Sequence, residues 1–155
     1  MTNQIKINDL GLLRYAKASI EGADPQRYAN AFPVDEFVCF GEYRKNKEPW
    51  WVVVLHSFEE NHDCVLELSF NRRGLFSYNL FKRIGRVIAD YLFNQANLLR
   101  CTTYIRASNQ ESIRLAVAMG FVLEGIKRKG FISPKVEDMH ILGLIKEECV
   151  WLSGR

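Results

Sequence analysis

What the 155-residue sequence lacks sets its first limits. No apolar run approaches the ~20 residues needed to cross a bilayer, and Met1 to Leu10 carries charged and polar residues where a secretory leader would be apolar. A soluble, cytoplasmic protein with no membrane partner is expected. The four cysteines, Cys39, Cys64, Cys101 and Cys149, include no CxxC pair, and three sit inside apolar strand-like runs, which fits reduced, buried thiols rather than a disulfide framework. Metal-ligand spacing is missing too. His56, His62 and Asp63 have no helical HxxxH or cysteine partner, so surface or hairpin-end histidines are the plainer account and no metal is expected. Charge of one sign is scarce: 21 Lys and Arg against 18 Asp and Glu leave +3, short of the basic stripe that nucleic-acid partners call for. No repeat, low-complexity stretch or Gly/Pro/Ser-rich linker divides the chain, so residues 1–155 are expected to form one domain.

What is present is an ordered series of elements. Gln4 to Ile7 reads as a short strand, and Asn8 or Asp9 can cap a helix with apolar positions Leu10, Leu13, Ala16 and Ile20, ended by Gly22. Asp24-Pro25 opens a second short helix through about Asn30. Glu36 to Tyr43 and Trp50 to Phe58, rich in aromatic and β-branched residues, form a hairpin around a charged turn. Cys64 to Phe70 follows as a third antiparallel strand, with Cys64, Leu66, Leu68 and Phe70 on one face and Val65, Glu67 and Ser69 on the other. After Gly74 the period becomes helical through Leu80, Ile84, Ile88 and Leu92, over about five turns. Arg100 to Arg106 is a strand. Asn109 to Met119 is a short helix stopped by Gly120, with Leu115 and Met119 facing the core. Phe121 to Ile126 and His140 to Ile145 are strands, joined by a basic loop starting at Lys127. The order β-α-α-β-β-β-α-β-α-β-β makes this an α/β (α+β) chain.

That order resembles the GNAT superfamily of N-acetyltransferases, as does the text Asn109-Gln110-Glu111-Ser112-Ile113-Arg114-Leu115 followed by Met119-Gly120-Phe121 and Glu124-Gly125. The signature is most similar to the subgroup containing ribosomal-protein N-terminal acetyltransferases. The resemblance implies a mixed central sheet of about six to seven strands, mostly antiparallel, with helices on both faces. It implies acetyl-CoA as cofactor and a primary amine, on a protein or a small molecule, as acceptor, and it admits a homodimer.

The turn Asn71-Arg72-Arg73-Gly74-Leu75-Phe76-Ser77 has a physical reason to matter. A strand that turns tightly into a helix leaves backbone N–H groups and the positive end of the helix dipole facing outward, and two arginines add charge beside them. In the family this turn holds the coenzyme A pyrophosphate. The implied cofactor-binding set is Leu68, Phe70, Arg72, Arg73, Gly74, Leu75, Phe76, Ser77, Asn109 and Ser112. Two positions depart from the family pattern. Phe76 stands where a small residue is usual, and Ala116 stands where many members place a tyrosine acid, seven residues after Asn109.

Acetyl transfer to an amine needs a neutral nucleophile, an oxyanion stabiliser and a route for the ammonium proton. Backbone N–H groups near Leu68 to Phe70 can serve the second need. Glu67 is the first candidate base, because a carboxylate on a central strand is costly unless it is paired, hydrated or working. Arg106 is the partner that would make it merely structural. Ser69 can orient the amine or a water, or simply be hydrogen-bonded. His56 suits base chemistry but falls at a strand end, where solvation is the simpler expectation. Trp50, Trp51 and Tyr43 are candidates for an acceptor groove or for core packing. The departures at Phe76 and Ala116 keep an alternative open, in which a catalytically degenerate acetyltransferase scaffold binds or regulates a partner.

Overall fold

The computed structural model describes residues 5–21, 37–70, 78–132 and 134–152. The helix expected at Asp24 to Asn30 and the turn at Asn71 to Ser77 lie outside them, as does Ser133. Seven strands are present: β1 (Lys6–Ile7), β2 (Val38–Tyr43), β3 (Pro49–Glu59), β4 (Asp63–Phe70), β5 (Arg100–Arg106), β6 (Val122–Phe131) and β7 (Glu137–Ile145). Three α-helices are described: α1 (Leu10–Glu21), α2 (Tyr78–Asp90) and α3 (Gln110–Ala118). The strand order is β1-β2-β3-β4-β5-β7-β6. Neighbours are mostly antiparallel, whereas β4 and β5 run parallel through Val65 and Thr102.

The chain divides into two compact units, residues 1–58 with 66–74, and residues 59–65 with 75–155. In the first, Asp9 caps α1: its Oδ1 accepts from Gly11 N at 2.9 Å and Leu12 N at 3.1 Å. Asn8, the other candidate cap, instead ties to β2, where its Oδ1 accepts from Cys39 N at 2.9 Å. The apolar stripe of α1 is rotated from expectation. Leu12 and Ala16 are buried against Cys39, Val52 and Val54, with Tyr15 packed beside them, while Leu10 is 69% exposed. Several leucines share this stretch, and the Asp9 cap together with its Tyr43 contact decides which of them turns inward. The run Trp51 to Leu55 is buried at every residue, as its unbroken apolar text implies for a strand covered on both faces.

In the second unit, Leu80, Ile84 and Ile88 form the buried stripe of α2, and the helix widens into one π turn over Tyr91–Gln95. Asn109 caps α3 through Ser112 N at 3.2 Å. Gly120 ends that helix at φ 97°, a conformation that glycine adopts without a Cβ clash. Met119 faces the core as expected, and the fully inward position beside it is Ala116, with Leu115 half-buried.

One element boundary is corrected. The basic stretch Lys127-Arg128-Lys129-Gly130 is part of β6 rather than a loop, and only residues 132–136 connect it to β7. The register shifts between Lys127 and Phe131 and Lys129 takes φ 52°, so a bulge absorbs the poor strand formers while pairing continues to Phe131↔Glu137.

Candidate active site

β4 carries the candidate base and its neighbours. Alternation holds from Cys64 to Leu66, and then slips. Ser69 is buried while Leu68 and Phe70 are half-buried, so the end of this strand does not keep the expected two-faced pattern.

Glu67 is inside the protein, with its side chain 13% exposed, and His56 faces it from β3. The Nε2 to Oε1 separation is 3.7 Å, within ion-pair reach but longer than a hydrogen bond. His56 itself is buried, which overturns the expectation of a solvated strand-end histidine. The cause is local: Ser57, not His56, is the residue that turns outward, at φ 52°. The Ser57 hydroxyl lies 2.9 Å from His56 Nδ1.

Arg106, foreseen as a structural partner for Glu67, has two contacts within the second unit. It contacts Glu137 at 3.1 Å and stacks over the Phe131 ring at 4.2 Å. The Glu137 carboxyl is held below its ordinary range, first by the Ser108 hydroxyl and then by further contacts that include Arg106. His62, by contrast, is an exposed hairpin-turn residue paired with Glu59. Among the described residues no group of His, Cys, Asp and Glu is arranged to hold a metal.

Of the aromatic candidates, Trp51 is wholly buried, and Tyr43 donates its hydroxyl to Asp9. Trp51 is thereby closed to an acceptor, whereas Tyr43 and Trp50 are half-buried. Sequence reasoning missed Glu42, a second carboxylate that is fully buried on β2 opposite Trp51 in the register. A glutamate within VCFGEY, set against an aromatic strand, was the available signal.

The cofactor candidates divide. Leu68 and Phe70 are half-buried at the end of β4. Asn109 uses its Oδ1 to cap α3 by accepting from Ser112 N, so its amide NH2 is the group that would meet a ligand. Arg72, Arg73, Gly74, Leu75, Phe76 and Ser77 lie outside the described residues. Ala116 is 8% exposed, packed into the core. The missing tyrosine is therefore built into the packing of α3, where a large polar side chain has no room without rearrangement.

No family model matches the chain, and no curated protein sequence matches it. Solved structures do. Mutant forms of the spermidine/spermine N-acetyltransferase SpeG from Vibrio cholerae align at TM-score 0.70 and 17% identity, covering 94% of this chain and 96% of theirs. The spermidine N-acetyltransferase of the same organism in complex with CoA and spermine aligns at TM-score 0.68 and 15% identity, over 94% and 97% of the two chains. A dodecameric structure of that enzyme in an intermediate state aligns at TM-score 0.67 and 16% identity, over 93% and 94%. The chain thus has the mixed, seven-stranded fold of the GNAT-like N-acetyltransferases.

Proposed function

We propose that this protein is an N-acetyltransferase that moves an acetyl group from acetyl-CoA to a primary amine by direct attack in a ternary complex. The observation that carries the reading is the near full-length fold match to spermidine N-acetyltransferases, one of them bound to CoA and spermine, joined to the Asn109 to Gly125 signature. The residues fit the cofactor in one testable respect. A largely buried carboxylate on β4 faces a histidine and directly precedes the Leu68 to Phe70 backbone, which is what proton removal beside a polarised carbonyl needs.

When bound, acetyl-CoA supplies an acetyl group activated as a thioester. Arg72, Arg73 and the backbone from Gly74 through Leu75, Phe76 and Ser77 would hold its pyrophosphate. The Asn109 amide and Ser112 would meet its pantetheine arm. Backbone N–H groups between Leu68 and Phe70 stabilise developing negative charge. Glu67 takes the proton that the attacking amine gives up, and Ser69 orients the amine. With Ala116 in place of a tyrosine, protonation of the departing thiolate falls to solvent. Residues 1–155 are read as one acetyltransferase domain, because β4 runs unbroken through the division between the two units. Four buried thiols outside any disulfide support a reducing, cytoplasmic setting. No described helix is long and apolar enough to cross a membrane.

Two acceptor classes are separable. The Asn109 signature favours a protein α-amino group, whereas the structural relatives favour a polyamine. A thiol-release assay with spermidine, spermine and a panel of short peptides decides between them. Glu67→Gln should lower kcat about 100-fold, the usual size of a lost general base. Full activity in that variant would remove Glu67 from the mechanism. The packed Ala116 motivates a second reading, a scaffold that binds a protein partner without turnover. Stoichiometric capture of one partner in the absence of coenzyme A, with no thiol release from any acceptor, would favour it.

A further inference from the structure

We infer that Ser57 and His56 form, with Glu67, a positioning line that holds the Glu67 carboxylate in its orientation, an inference that rests on the acetyltransferase reading. Neither Ser57 nor His56 is asked to touch the substrate. Both act through Glu67.

The starting point is the cost of the carboxylate. With 13% of its side chain exposed, Glu67 gives up much of its hydration, so the groups that face its carboxylate decide how it is oriented. His56, 8% exposed, is the group opposite at 3.7 Å. Imidazole helps only if Nε2 carries a proton, because the other tautomer would direct a lone pair at the carboxylate.

Ser57 supplies the preference. Its hydroxyl is 2.9 Å from Nδ1, and by donating there it leaves the ring proton on Nε2, toward Glu67. This contact does not arise in a regular strand, where adjacent side chains point to opposite faces. It exists here because Ser57 adopts φ 52°, which folds its side chain back toward the ring before it. A non-glycine residue in that region carries a backbone strain of about 1 kcal/mol or more. Strain held at the one residue that sets a buried histidine's tautomer beside the candidate base is what a functional constraint leaves behind.

A structural role and a positioning role predict opposite results for Ser57→Gly. Glycine accepts the positive φ freely, so the variant folds and its melting temperature is unchanged or raised. If the hydroxyl positions the line, kcat falls about 5-fold to 10-fold while the KM for acetyl-CoA stays within about 2-fold. Nitrogen-15 NMR then shows the His56 ring moving away from the Nε2–H tautomer. His56→Gln should lose about as much kcat as Glu67→Gln, and the double variant little more than either, as expected of groups acting as a unit.

Unchanged kcat and an unchanged tautomer in Ser57→Gly, in a protein that binds acetyl-CoA and turns over, overturn this inference alone. So does a loss confined to KM, or additive losses in the double variant. Failure of the unsubstituted protein to bind acetyl-CoA overturns the acetyltransferase reading and this inference with it.

Discussion

At the scale of single residues, the protein places charge where local geometry rather than composition decides its fate. Asp9 serves three donors at once: two N–H groups of α1 and the Tyr43 hydroxyl. The Tyr43 contact, followed by the Leu12 amide, holds the Asp9 carboxyl below its ordinary value of 3.8. Burial first, then Asp9, pushes the Tyr43 hydroxyl from 10.0 up to about 12. The signs define a window. A carboxyl that is lowered in the fold stabilises above its unfolded value and loses that contribution as the pH falls through the folded one. A phenol that is raised stabilises fully below 10 and loses its contribution as the pH climbs toward 12. Tyr43→Phe should therefore cost about 1 kcal/mol near neutrality. The gap from the unsubstituted protein should narrow below pH 4 and above pH 10, as followed by thermal melts across pH. A pH-independent gap would mean that the hydroxyl only fills space. The Asp9 cap was legible in the sequence, but its link to Tyr43 was not, because the partners are 34 residues apart and no periodicity connects them. His56 was misread for a related reason. Strand-end position predicts solvation, and one positive φ at Ser57 reverses it.

At the scale of elements, the second unit is fastened by a charge line crossing its strands. Arg100 on β5 donates to Asp63 on β4 at 3.1 Å and to Glu124 on β6 at 2.6 Å, and Thr102 donates to the same Asp63 oxygen at 2.7 Å. β7 lies between β5 and β6, so this line must pass over it, and it does so at Gly143. A Cβ there would sit 2.6 Å from Arg100 Nη2 and closer still to the Glu124 carboxylate. The atoms met are the ends of two flexible side chains, so Gly143→Ala should cost no more than about 1 kcal/mol, the worth of the displaced ion pair, and show as a slightly lower melting temperature. An unchanged melt would mean that the arginine shifts without consequence. Strand and helix order was readable because the period changes from two to 3.6 at identifiable places, such as the step from Phe70 to Leu80. The course of β6 was not. Lys127, Arg128 and Lys129 have the composition of a loop, and the strand continues because backbone pairing with β7 outweighs propensity.

At the scale of the whole molecule, the sequence carried the fold class further than it carried the site. Glu67 was singled out because a carboxylate on a central strand is conspicuous. Asn109 was singled out because a helix mouth favours its side chain. Their partners depend on contacts that only the folded chain assembles. If residues 1–155 act as one domain, calorimetry should give a single transition with equal calorimetric and van't Hoff enthalpies. Two resolved transitions would divide the chain as its two compact units do.

Calorimetric titration with acetyl-CoA reads cofactor binding, on which the proposed activity depends, without knowledge of the acceptor. Binding at micromolar concentrations with one site per chain is predicted, weakened at least 10-fold by Gly74→Glu, which puts bulk and negative charge where the pyrophosphate should lie. Absence of binding up to millimolar acetyl-CoA would contradict it.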